Sequence, residues 1–181
     1  MQTPQRQEVR KNLLPDILVP GLKVIFVGAA PSFKAAQTGH YYAGSRNRFW
    51  QLLHQSGFTP RQLEPEEDAT LPQFGIGLTG LMRYAISTDN SRLPPPTDAD
   101  RRELFGKLIH LAPRFICYNG RDVYRMCHGA DAPKWGLLPM ILGVSRQFVV
   151  YSSSGRADGW GAERLYLYRE LRRLLDEEGN Y

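Results

Sequence analysis

The 181-residue chain has two cysteines, Cys117 and Cys127. That is too few for a disulfide scaffold, a four-cysteine zinc site or an iron–sulfur cluster, so both are expected to be reduced structural thiols. The histidines His40, His54, His110 and His128 have no metal-ligand spacing, and neither a metal nor a cofactor is expected. No apolar run approaches the roughly 20 residues that a membrane span needs. Met1 to Asn12 is polar and basic and lacks the apolar core of a signal peptide, so the sequence reads as cytoplasmic with no membrane partner. Repeats and low-complexity tracts are also missing. The glycine turn at Gly28 is neither a GxGxxG dinucleotide loop nor a phosphate loop ending in GK[ST]. Without a GxSxG nucleophile turn or an evident Ser/His/Asp set, an unrelated small-molecule hydrolase is disfavoured.

What is present is an ordinary globular composition, 42% hydrophobic and 23% charged. Length and composition suit one domain with a sizeable core. The formal net charge of +5 suits a polyanionic partner, as does the arginine group Arg156, Arg164, Arg169, Arg172 and Arg173 near the C-terminal end. Nothing calls for more than a monomer.

Lys23 to Val27 (KVIFV) is a nearly continuous apolar run before Gly28 and predicts a strand buried on both faces. Phe115 to Tyr118 (FICY) and Phe148 to Tyr151 (FVVY) repeat the pattern, and Phe74 to Thr79 (FGIGLT) is a shorter candidate. Between them fall helical patterns. Arg48 to Gln55 carries Phe49, Leu52 and Leu53 on one face and stops at Gly57. Thr97 and Asp100 form a capping box ahead of Leu104, Leu108 and Leu111. Arg121 to His128 is a short helix, and Ala162 to Glu178 buries Leu167, Leu171, Leu174 and Leu175. Strands alternating with helices predict a three-layer α/β domain with a mostly parallel sheet. Ligands bind such sheets at the carboxyl ends of the strands, which points to the loops after Val27, Tyr118 and Tyr151.

Three segments could carry chemistry. Gly28-Ala29-Ala30-Pro31-Ser32 is a tight turn that lets backbone amides face a ligand. Thr38 to Trp50 (TGHYYAGSRNRFW) sets aromatic rings among cations, the combination a flipped base and its phosphates require. Within it Phe49 and Trp50 read as core, Asn47 has an alternative reading as a helix cap, and Tyr42 stands out as functional. Ser152-Ser153-Ser154-Gly155-Arg156 offers hydroxyls, an amide and a cation to phosphate.

Leu14 to Gly28 (LPDILVPGLKVIFVG), then TGHYYAG and NRFWQLLHQSGFTPRQL through Leu63, resemble the mismatch-specific branch of the uracil-DNA glycosylase superfamily. The resemblance implies a three-layer α/β/α sandwich with a central, mostly parallel four-stranded sheet. It also implies a flexible segment over 1–13 and a single glycosylase domain over 14–181. The implied activity is monofunctional: uracil is flipped from DNA and excised hydrolytically, with hypoxanthine or other deaminated bases as further targets. Two motifs depart from that branch. The water-positioning Asn of the first motif is replaced by Ala30. The second motif, normally Asn-Pro-Ser-Gly followed by a leucine wedge, is Ser152-Ser153-Ser154-Gly155 followed by Arg156. The chain is also similar to the hypoxanthine-DNA glycosylase branch, which lacks the same Asn. That likeness rests on Tyr41-Tyr42, Asn47-Arg48-Phe49-Trp50, Tyr118-Asn119-Gly120, the serine run and Ser87-Thr88-Asp89.

The resemblance assigns Gly28, Ala29, Ala30, Pro31, Ser32 and Phe33 to the base pocket and Tyr42 to stacking on the base. Asp89 and Asn47 are the candidates for positioning water, and Asn119 for reading a base edge. Ser152, Ser153, Ser154 and Gly155 would bind phosphate, while Arg156 fills the gap left in the duplex. The competing expectation, raised by Ala30, is a catalytically inactive member that binds DNA lesions.

Overall fold

A computed structural model describes residues 11–86 and 90–177. Asp89 therefore lies outside the described residues, as do residues 1–10 of the expected N-terminal segment. In chain order the elements are β1 (Val24–Gly28), α1 (Phe33–Thr38), α2 (Phe49–Gln55), β2 (Ile76–Gly80), α3 (Asp98–Leu111), β3 (Phe115–Asn119), α4 (Arg121–His128), β4 (Gly136–Leu142), β5 (Ser145–Val150) and α5 (Gly161–Glu177). Short 3-10 turns cover Pro65–Phe74, Asn90–Arg92 and Gly155–Trp160.

The sheet runs β2-β1-β3-β5-β4. Its first four strands are mutually parallel, and β4 pairs antiparallel with β5. The expectation of four strands is thus corrected to five. The extra strand escapes pattern reading because Pro139 interrupts it and the register shifts between Leu137 and Ile141. Proline cannot donate to a ladder and is tolerated at an edge or bulge, which is where β4 sits. β5 also starts earlier than its apolar run suggests, because Ser145 and Gln147 are buried despite being polar.

The sheet separates two cores. Val24 and Phe26 of β1, Phe115 and Cys117 of β3, and Phe148 and Val150 of β5 face α2 and α5. Ile25, Val27, Ile116, Tyr118 and Val149 face α3 and α4. That strict alternation on strands buried on both sides accounts for the near-continuous apolar runs. The capping box forms: Thr97 Oγ1 accepts from the Asp100 N–H at 3.2 Å, and the Thr97 N–H donates to Asp100 Oδ2 at 2.7 Å. On α5, Leu167, Tyr168, Leu171 and Leu175 are buried. The chain joins this body from Leu13, whose N–H donates to the Arg83 carbonyl at 2.9 Å. Among the described residues no helix is long and apolar enough to cross a membrane. Parallel pairing brings the carboxyl ends of β1, β3 and β5 to one edge, so Gly28, Asn119 and Val150 open onto the same side.

Candidate active site

The turn after β1 is pinned at its back. The Gly28 carbonyl accepts from Leu81 N–H at 3.0 Å and the Ala29 carbonyl from Met82 N–H at 2.8 Å. Ser32 Oγ accepts from Ala35 N–H at 3.2 Å and so caps α1. The Tyr42 ring comes over the start of this turn: a Cβ at Gly28 would lie 3.4 Å from the Tyr42 hydroxyl.

Tyr42 is held in an uncommon state. Its φ is 55°, in the left-handed region, which costs a non-glycine residue roughly 1–2 kcal/mol. Stacking on Phe49, with centroids 4.1 Å apart and planes at 28°, offsets part of that. The loop is anchored before it by Asp68, which accepts from Tyr41 N–H at 3.0 Å. The hydroxyls of Tyr41 and Tyr42 are buried without a hydrogen-bond partner. Burial pushes both phenol pKa values up, so both remain protonated donors; beside Tyr42, Asn119 acts in the opposite sense.

Asn47 precedes α2 and its Oδ1 accepts from Phe49 N–H at 3.0 Å. The cap expected as an alternative is not formed, because Arg48 occupies the N-cap position without a side-chain cap bond; the Asn47 bond is a local turn that fixes the plane of the carboxamide. The next residue ties this loop to the serine run, with Arg48 N–H donating to the Ser153 carbonyl at 2.8 Å. The two loops touch again at Gly155, where a Cβ would lie 2.8 Å from Arg46 Cβ and 2.9 Å from the Arg46 carbonyl oxygen.

Asn119 and Ser153 are engaged with each other. Asn119 Nδ2 donates to Ser153 Oγ at 2.8 Å, and Ser153 N–H donates to Asn119 Oδ1 at 2.9 Å. This two-point latch fixes the serine run to the end of β3 and leaves Ser153 fully buried. Ser152 and Ser154 are only partly buried, and Arg156 is exposed. Asp158 braces the far side by accepting from Arg48 at 3.3 Å and from the buried Arg164. The Arg48 guanidinium, with Arg164 behind it, holds the Asp158 carboxyl below the usual carboxylate range.

These loops enclose a cleft of about 1050 Å³. It brings together Gly28 to Phe33, Tyr42, Asn47, Asn119 and Ser152 to Arg156, which is every expected site residue within the described range. Tyr41, Arg83, Trp135, Tyr151 and Trp160 also line it without having been assigned to the site from the sequence, and of these Arg83, Trp135 and Trp160 had no local signal. Tyr41 and Arg83 lie at the back, where Arg83 Nε pairs with Asp16 Oδ1 at 3.2 Å. Trp135, Tyr151 and Trp160 form one wall. Tyr151 stacks with Trp135 at 3.9 Å and with Trp160 at 5.1 Å, and the Arg121 guanidinium lies 4.4 Å from the Trp135 ring centre.

The family model for the uracil DNA glycosylase superfamily matches residues 15–175. A solution structure of a candidate uracil DNA glycosylase from Methanosarcina acetivorans is similar over 90% of this chain and 98% of that one. Its TM-score is 0.54 at 20% sequence identity, a likeness of fold.

Proposed function

Since this chain belongs to the uracil DNA glycosylase superfamily, we propose that it is a DNA glycosylase that excises uracil, and further deaminated bases such as hypoxanthine, by direct hydrolysis. The observation that carries this reading is the meeting of three segments in one cleft: the turn at Gly28, the loop of Tyr42 and the serine run.

The target base leaves the helix and stacks on Tyr42, whose ring is backed by Phe49. As the bond from the sugar C1′ to the base breaks, its electron pair goes to the base and positive charge develops on the sugar. The amides of the turn are suited to the base anion, each such donor being worth about 3 kcal/mol in the transition state. Water then adds to C1′ and its proton passes through solvent to the departed base anion, leaving an abasic sugar and the free neutral base. Ala30 has no side-chain group to hold that water. Asn47 supplies one, its carboxamide already oriented by Phe49 N–H; Asp89 is the alternative. Ser152, Ser154 and Gly155 grip phosphate, and Arg156 enters the space the base has left. Asn119 serves this arrangement by latching Ser153, and its second amide hydrogen is the one suited to a base edge.

Ala30 also favours a second reading, a lesion-binding protein without catalysis. The two separate in an assay for abasic product on uracil and hypoxanthine substrates, single- and double-stranded, at high enzyme and long times. Excision is expected, with a loss of about 100-fold or more in either Asn47→Ala or Asp89→Ala and a gain in Ala30→Asn. Tight lesion binding without product selects the second reading. Full activity in both alanine variants overturns the assignment of the water-positioning group.

A further inference from the structure

We infer that Trp160, at the outer end of the Trp135–Tyr151–Trp160 stack, is a platform for the unpaired nucleobase next to the target, so that the cleft is built to engage single-stranded DNA. This rests on reading the cleft as a DNA glycosylase site.

The stack is continuous from the wall to the surface. Trp135 and Tyr151 pack against the core and are partly buried. Trp160 is 51% exposed and lies within 10° of the Tyr151 plane. Core packing accounts for the first two rings but not for a large apolar ring held flat at the surface. Such a ring on a rigid base gives a nucleobase a stacking partner at little cost in side-chain entropy, whatever the base identity.

Its place in the chain supplies the connection to DNA. Tyr151 immediately precedes the serine run, and Trp160 closes the turn that follows it. A strand whose phosphate sits on Ser152 to Gly155 therefore has a neighbouring nucleotide beside the stack. Arg46, Arg121 and Arg156 line the same cleft and favour the backbone charge. A base inside a duplex already has both faces stacked and its edge paired. Only an unpaired one can offer a face to Trp160.

The test is the affinity of the full chain for an undamaged, uracil-free single strand and for the matching duplex, by fluorescence anisotropy at low salt. Wild type, Trp160→Ala and Trp160→Phe are compared, with circular dichroism to confirm folding. The ratio of single-strand to duplex affinity is expected to fall about fivefold or more in Trp160→Ala and to stay near wild type in Trp160→Phe, which keeps a ring. No single-strand binding by the wild type, an unchanged ratio, equal losses on both ligands, or a Phe variant as weak as the Ala variant would each overturn the platform. The strand contains no target base, so the result is independent of excision. A fallen ratio without any abasic product would reject the catalytic reading alone, and excision with an unchanged ratio would reject the platform alone.

Discussion

Ala30, Tyr42 and Gly155 each do something that their residue type makes possible. Ala30 puts no hydrogen-bonding side chain into the turn, so in the proposed mechanism the holding of water falls to another loop. Tyr42 accepts a strained backbone, with φ of 55°, to set its ring over Gly28; strain of this kind persists where surrounding contacts enforce it and concentrates at functional sites. Gly155 lets the serine run lie directly on Arg46. A Cβ there would sit 2.8 Å from Arg46 Cβ and 2.9 Å from the Arg46 carbonyl oxygen, and backbone cannot move aside cheaply. Gly155→Ala is therefore expected to lose about 1–3 kcal/mol in urea unfolding and to weaken DNA binding in the same protein. Wild-type stability in that variant would show that the loops separate freely.

At the scale of elements, α4 is joined to the sheet through a polar chain inside the second core. His128 Nε2 lies 2.9 Å from the Tyr118 hydroxyl, which donates to Gln147 Oε1 at 2.8 Å. Because that hydroxyl spends its proton on Gln147, His128 is the donor to it. Burial lowers the imidazole pKa from its ordinary 6.5. The unfolded chain thus binds the proton first as pH falls. The stability from neutral His128 is complete above pH 6.5 and declines as pH drops from there toward the lower folded value. Melting temperature is expected to fall over that interval, and to fall less steeply in His128→Gln; parallel profiles would rule out His128 as the source. The opposite edge of the sheet is legible only with the structure. Pro139 and the displaced register conceal β4, and polar Ser145 and Gln147 conceal the first half of β5.

For the whole molecule, the sheet seals both thiols away from solvent on opposite faces. Cys117 packs in the core under α2 and α5, and Cys127 in the core under α3 and α4. Both are fully buried, and burial pushes the Cys127 thiol up to about 12 and Cys117 well above its ordinary value. Neither is expected to react with a thiol reagent at pH 8 in the native protein, and both should react together in denaturant, as a readout of global unfolding. Fast labelling of one alone would show that its half of the core opens independently. The order of apolar runs and helical patterns determined the α/β class and which strand ends open onto the cleft, because strands buried on both faces need apolar residues at every position. Local spacing also determined the candidate loops, since glycine turns, aromatic pairs and serine runs are read from neighbours in the chain. Only the tertiary structure decided that Asn119 and Ser153 hold each other, that Gly155 rests on Arg46, and that Trp135, Tyr151 and Trp160 form one wall. Those contacts join residues distant in sequence, and their partners are chosen by how the sheet brings its loops together.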